Sequence, residues 1–252
     1  MTDVVLQLER VGVRFGGLAA VDDVSMSVTH GERRAVIGPN GAGKTTLFNA
    51  ITGMHPPTSG RIVFSGEDVT RMKPNLRAHR GMSRTFQITN LFQSMTVIEN
   101  MQLALNGLRS RRFSMLGSAQ PDAESRQRIE AALAACRLAE RRNAVVRELS
   151  YGEQRQLEMA MSLVAQPRLL LLDEPAAGLS PAERSMITEI IRSLPRELTV
   201  MLIEHDMDLV LNLVDFVTCL NNGQKLVEAP PAEIRTNQQV QDVYLGKARR
   251  HA

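Results

Sequence analysis

Residues Gly38-Pro39-Asn40-Gly41-Ala42-Gly43-Lys44-Thr45 form one unbroken run, with the spacing of a loop that wraps phosphate groups. Glycines let successive backbone N–H groups converge on β- and γ-phosphates with no Cβ in the way. Lys44 supplies a point charge to those oxygens, and the Thr45 hydroxyl is a hard ligand for Mg²⁺. A helix beginning near Lys44, with Thr46 in its first turn, directs its positive end at the same phosphates.

A second group of reactive side chains lies far down the chain. Leu169-Leu170-Leu171-Leu172 reads as a buried strand, and it ends in Asp173-Glu174. Adjacent strand residues point to opposite sides, so the two carboxylates divide the labour. Asp173 is expected on the Mg²⁺ shell, and Glu174 beside the γ-phosphate as general base for a water. Alone, such a strand end would equally suit a polar cap on the following turn. A phosphate loop on the same sheet favours catalysis. Thr199–Ile203 followed by Glu204-His205-Asp206 makes another strand end, where His205 is placed to hydrogen-bond a γ-phosphate oxygen or the attacking water. His30, His55, His79 and His251 have no such company and are expected to be exposed.

These groups need strands and helices to position them. Val4–Val13 and Val24–Val28 alternate as strands, Arg34–Ile37 enters the glycine-rich loop, and Arg61–Phe64 is a further strand closed by Gly66. Lys44–Ile51 is helical and stops at Gly53. After Pro74 the character changes. Thr96–Leu105 and Asp122–Leu138 read as amphipathic helices, separated by an arginine-bearing surface loop from Arg109 to Gln120. From Ser150 onward helix and strand alternate: helices at Gly152–Ala165, Pro181–Leu194 and Met207–Leu213, with strands between. Asn221-Asn222-Gly223 between Phe216–Leu220 and Gln224–Val227 signals a hairpin. Short apolar strands alternating with helices argue for a parallel sheet covered on both faces.

The chain has 252 residues, 43% hydrophobic and 23% charged. That composition excludes a disordered chain, and no apolar run is long enough to span a bilayer. The N-terminus lacks the basic and apolar regions of a secretory signal, so a cytosolic setting is expected. Cys136 and Cys219 are too few for a disulfide framework. The net charge of +3 hides an asymmetry: residues 71–147 carry 14 basic and 5 acidic side chains, whereas residues 148–246 carry 7 and 15. A nucleic-acid surface or a membrane-side interface would each explain a basic middle. Only Phe86, Phe92 and Phe113 interleave with those basic residues, which weighs against nucleic acid.

Leu149-Ser150-Tyr151-Gly152-Glu153-Gln154, about twenty residues before the acidic strand, decides among phosphate-loop families. It resembles the LSGGQ signature of ATP-binding-cassette proteins, departing at Tyr151 and Glu153. The resemblance implies that Ser150, Gly152 and Glu153 bind the phosphate of an ATP held by an opposite subunit, at a helix N-terminus. Function would then require a dimer. Phe15 sits where the family stacks an aromatic on adenine, and Gln87, in Arg84-Thr85-Phe86-Gln87, matches the glutamine that reaches Mg²⁺ and water and hinges a helical subdomain. Ala177-Gly178-Leu179-Ser180 occupies the D-loop with Ser180 in place of the usual Asp, and His205 matches the switch histidine. The implied fold is an α/β phosphate-loop NTPase. It has an N-terminal antiparallel β-subdomain, a mostly parallel RecA-like core sheet across 1–86 and 148–246, and an α-helical insertion near 87–147. A basic tail, 247–252, follows.

The wording GPNGAGKTTLFNAITG, SRTFQ, LSYGEQRQLEMA, LLDEPAAGLSP and LIEHDMDLV is similar to the ATPases of branched-chain amino acid importers, and RTFQ with DEPAAGL resembles their larger, G-type subunit. Such a subunit would hydrolyse ATP with Mg²⁺ at the cytoplasmic face of the inner membrane, paired with itself or a sister F-type ATPase. Two integral-membrane permeases and, indirectly, a periplasmic binding protein would complete the system. Relatives of this type serve urea, short amides or aromatic acids, so the solute is less defined than the machine. The basic segment, with Arg109, Arg111 and Arg112, would be a docking face. A single-cassette ATPase of iron–sulfur assembly is the alternative. No Asn-Lys-x-Asp is present to specify guanine, and no long coiled coil separates loop from signature.

Overall fold

The computed structural model describes residues 3–85, 91–107 and 122–245. Gln87, the loop carrying Arg109, Arg111 and Arg112, His251 and the basic tail lie outside them. The elements, in order, are β1 (Val4–Phe15), β2 (Leu18–Thr29), β3 (Arg33–Ile37), α1 (Lys44–Thr52), β4 (Ser59–Phe64), β5 (Glu67–Asp68), α2 (Pro74–His79) and β6 (Met82–Arg84). They continue as α3 (Val97–Gly107), α4 (Ala123–Ala135), two 3-10 turns at Ala139–Arg141 and Val146–Glu148, α5 (Tyr151–Leu163), β7 (Leu169–Asp173) and α6 (Pro181–Ser193). The chain closes with β8 (Thr199–Ile203), α7 (Met207–Leu213), β9 (Phe216–Asn221), β10 (Gln224–Ala229), α8 (Pro231–Thr236) and α9 (Gln238–Leu245).

Two sheets form. One is antiparallel in the order β2-β1-β4-β5; the other has six strands in the order β10-β9-β3-β8-β7-β6. Within the second, β9, β3, β8, β7 and β6 run parallel, and only β10 is antiparallel, through the hairpin at Asn222 and Gly223. The apolar strands bury both faces. Leu170, Leu172, Val200 and Leu202 join a core with Met101, Ile129, Leu133, Leu157 and Ile190 from the helices. Leu169, Leu171, Met201 and Ile203 join another with Leu47, Phe48 and Ile51 of α1 and the valines of β1 and β2. The parallel sheet is therefore covered by helices on one face, and by α1 together with the antiparallel sheet on the other.

Several elements differ from the sequence expectation, each for a local reason. The predicted strand at Val24–Val28 extends to Leu18–Thr29 because β1 pairs with it down to Phe15↔Leu18. The predicted helix Asp122–Leu138 is shorter. Asp122 is its cap, accepting the Ser125 N–H, and Arg137 adopts a left-handed φ of 58° that ends it. The helix expected over Gly152–Ala165 runs Tyr151–Leu163, capped by Ser150. The short strands β5 and β6 and the helices α2, α8 and α9 carry too few residues for a periodic pattern.

Helix α2 holds α1, the helix that follows the Gly38–Thr45 loop. Arg77 is 1% exposed. Its Nη1 donates to the carbonyls of Ala50 and Ile51 at the C-terminal end of α1, Nε to Met72 O at 3.0 Å, and Nη2 to Thr70 O at 3.1 Å. Burial pulls the guanidinium down to about 10, still protonated at neutral pH. A cation there satisfies orphan carbonyls and complements the negative helix end. Arg77→Ala removes these bonds at once and is expected to cost about 3 kcal/mol or more. Urea unfolding checks it; an unchanged midpoint would contradict the assignment.

Candidate functional site

The register of the parallel sheet builds the site. Val36 on β3 and Asp173 on β7 both align with Ile203 on β8. The chain leaves all three strands at one edge, delivering Gly38, Glu174 and His205 side by side. This edge lies where β8 and β9 diverge on either side of β3, the place where open α/β sheets bind ligands.

At the end of β3 the loop closes into α1 at Gly43, whose φ of 98° suits glycine. A Cβ there would fall 2.3 Å from Ala20 O on β2. Gly223 N–H donates to Ala42 O at 3.1 Å, and Asp22 N–H to Gly223 O at 2.8 Å. Thus β2 and the β9–β10 hairpin brace the loop. Lys44 is 6% exposed, and its Nζ donates to Gly38 O at 2.8 Å and Pro39 O at 3.1 Å. The first-turn N–H groups of Lys44, Thr45 and Thr46 are those a helix cannot satisfy itself. Asn40, Gly41 and Thr45 are exposed.

Asp173 is 2% exposed. Its Oδ2 accepts from Arg84 Nη2 at 2.5 Å, while Oδ1 is buried without a protein hydrogen-bond partner. Arg84 is itself braced by Asn49 Oδ1 at 2.6 Å and lies over the Phe48 ring. A buried carboxylate oxygen left over at the sheet edge that also carries the loop with the exposed Thr45 hydroxyl fits a cation that takes few protein ligands, as Mg²⁺ does with nucleotide phosphates. Among the described residues no cluster of three or more His, Cys, Asp or Glu is arranged to hold a metal by itself.

Glu174 has a left-handed φ of 50°, an unusual conformation for glutamate that often marks functional sites. Its Oε1 meets His205 Nε2 at 2.6 Å. The buried Glu204 clamps the two loops together: Oε1 accepts from Ala176 N–H at 3.0 Å and Oε2 from His205 N–H at 3.1 Å. Burial raises its pKa against the lowering pull of those two N–H groups.

Ser150 and Glu153 form a capping box on α5. Ser150 Oγ accepts from Glu153 N–H at 3.1 Å, and the Glu153 carboxylate accepts from Ser150 N–H at 2.8 Å and pairs with Arg141 at 2.9 Å. Gly152 N–H donates to Glu183 Oε1 at 3.0 Å, while Ser180 N–H and Oγ donate to Glu183 Oε2. Hydrogen bonds from Ser180, then Gly152, hold the Glu183 carboxyl below its ordinary range. Ser150, Gly152, Glu153 and Glu183 border a crevice of about 340 Å³. Tyr151, half exposed, is stacked under Arg155, whose Nη2 donates to its hydroxyl at 2.7 Å.

Phe15 stands at the tip of the β1–β2 hairpin, 49% exposed, with His55 edge-on at 5.8 Å. His55 is exposed, as expected, yet it has this aromatic neighbour. Sequence reasoning assigned no role to Arg84, Glu183 or Glu204. Glu204 adjoins His205 in sequence, and Glu183 stands three residues after Ser180 in a capping box, both available signals; the Glu183–Gly152 bond and the partner of Arg84 come only through the fold. The basic middle segment also reads differently in three dimensions. Arg80, Arg84, Arg128, Arg137, Arg141 and Arg142 all form ion pairs with acids, and Arg77 is buried on carbonyls.

A phosphate loop, a buried carboxylate and a Glu–His pair at one sheet edge, with a capped signature helix elsewhere on the chain, define a nucleotide-hydrolysing cassette. The ABC transporter family model matches residues 21–177. The chain belongs to that ATP-binding-cassette family and is an ATPase. A second model, described as a branched-chain amino acid ATP-binding cassette transporter, matches residues 224–249. The chain is 40% identical to the high-affinity branched-chain amino acid transport ATP-binding protein BraF of Pseudomonas aeruginosa, over 98% of this chain and 100% of that protein. It is also 40% identical to LivG of Salmonella typhimurium, with the same coverage. Among solved structures, the ADP conformation of MJ1267, an ATP-binding cassette of an ABC transporter, superposes with a TM-score of 0.85 at 30% identity, covering 96% of this chain and 99% of that one. CbiO1 of Clostridium perfringens gives 0.81 at 27%, covering 96% and 95%. The expected fold class holds, and the iron–sulfur alternative is not favoured by these relatives.

A Cβ at position 152 would lie 2.5 Å from Glu183 Oε1 and 2.8 Å from its Cδ. Gly152→Ala therefore pushes the Glu183 side chain aside, breaks its bond to the residue-152 N–H, and is expected to cost about 1 kcal/mol. Thermal unfolding measures this; a melting temperature equal to that of the unaltered chain would contradict the close approach.

Proposed function

We propose that this chain is the ATP-hydrolysing subunit of an importer for branched-chain amino acids or a related small solute. Two cassettes pair head to tail, with itself or with a sister ATPase, each phosphate loop facing the partner's signature helix at Ser150, Gly152 and Glu153. Two permeases, and indirectly a periplasmic binding protein, complete the system at the cytoplasmic face of the membrane. Among the described residues no helix is long and apolar enough to cross a membrane, which accords with a peripheral subunit. The relatives' names and the C-terminal family match support the solute class. The helices α3 and α4 fall within 87–147, the segment proposed as the permease-facing subdomain, with Gln87 as its hinge.

The observation that carries the catalytic reading is the 2.6 Å contact between His205 Nε2 and Glu174 Oε1, beside the phosphate loop. Lys44 and the loop N–H groups hold the β- and γ-phosphates, and Phe15 stacks on adenine. Glu174 takes the proton of the attacking water, and His205 holds that carboxylate in place. Asp173 and Thr45, with Gln87, would hold Mg²⁺, which supplies charge neutralisation at the phosphates when bound. Hydrolysis removes the γ-phosphate that joins the cassettes, and the closed pair loosens because ATP favours the closed state.

Glu174→Gln is expected to lower turnover by about 100-fold or more while ATP still binds and holds a dimer. Lys44→Ala, carried alongside, should bind no nucleotide. Sedimentation velocity with ATP and a phosphate-release assay read both. Normal hydrolysis by Glu174→Gln would remove the general-base assignment.

A further inference from the structure

The loop at Gly38 has a contact that its own motif does not include. The half-buried Tyr244, on α9, accepts a hydrogen bond from Gly38 N–H at 2.8 Å, across 206 residues of sequence. On the other side of the same residue, Gly38 O accepts from Lys44 Nζ at 2.8 Å. Gly38 has a φ of 146°, and a Cβ there would fall 2.2 Å from Leu220 O at the end of β9. The residue is thus wedged against β9 and tied to α9, while its carbonyl holds the lysine. Helix α9 is itself anchored: Val240 is 3% exposed in the helical-side core, and Tyr244 packs on that core. Burial pushes the phenol up to about 12, so it acts as a neutral hydroxyl at physiological pH.

We propose that Tyr244 is a positioning residue for ATP binding: its hydroxyl fixes the Gly38 peptide, whose carbonyl sets Lys44, so the C-terminal helix tunes nucleotide affinity. The proposal rests on reading 38–45 as the phosphate site. The hydroxyl touches neither nucleotide nor water in this scheme. Without it, a partly buried N–H loses its partner and the peptide reorients to find another. Preorganisation of the loop is then lost, which weakens binding more than it slows the chemical step.

Tyr244→Phe removes the oxygen and keeps the ring. The expected result is a KM for ATP and a dissociation constant for ADP raised about fivefold, the equivalent of one neutral hydrogen bond, with kcat within about twofold. Hydrogen exchange at the Gly38 amide should quicken in parallel. Leu133→Ala on α4 serves as the control, since it loosens the same core without touching α9 or the hydroxyl; it should lower the melting temperature and leave KM unchanged. An unchanged KM in Tyr244→Phe would overturn the proposal, as would a Leu133→Ala variant that reproduced the rise in KM. Failure of the underlying phosphate-site reading would show separately, as a Lys44→Ala variant that still binds ATP.

Discussion

The parallel register of β3, β8 and β7 is the constraint on which the remainder depends. Ile203 lies level with Val36 on one side and Asp173 on the other. A one-residue slip would turn every side chain on a strand to the opposite face. Leu169 and Leu171 would then exchange cores with Leu170 and Leu172, and Asp173 would turn away from Arg84. Burial on both faces therefore specifies the register, and the register places the reactive groups. Catalytic geometry and core packing are one requirement.

Once the strands deliver these groups, charged side chains fix them. Arg84 takes one oxygen of Asp173 and leaves the other unengaged. Glu204 holds the loops of Glu174 and His205 together, and Glu183 binds the D-loop region to the signature helix. Arg77 secures the far end of α1. Among the described residues of the basic middle segment, Arg80, Arg128, Arg137 and Arg142 instead pair with acids at the surface. Arg109, Arg111 and Arg112, which the docking-face reading singled out, lie outside the described residues. Removing one member of the buried Arg84–Asp173 pair leaves the other charge uncompensated, so that contact is costly to break even where its net contribution is small.

The phosphate loop, the two strand ends and the capped signature helix were legible because each is a local pattern. Gly38–Thr45 carries its own geometry, and the apolar run before Asp173 could be little else than a buried strand. Ser180 and Pro181 likewise announced the start of α6. What sequence could not supply were contacts between distant segments. Gly38 meets Tyr244, Gly152 meets Glu183, and Asp173 meets Arg84 on a three-residue strand too short to show alternation. The tilt of His55 toward Phe15 depends on how α1 ends and β1 turns. Such pairs are set by tertiary packing, and propensity is silent about them.

The most direct test of the account is the role of the unengaged Asp173 oxygen. ATP binding is measured calorimetrically with and without Mg²⁺, in a Glu174→Gln background that prevents turnover, with Asp173 intact or changed to Asn. The account predicts that Mg²⁺ tightens ATP binding by about tenfold or more when Asp173 is present, and that Asp173→Asn loses most of that gain. An equal gain from Mg²⁺ in both proteins would contradict it.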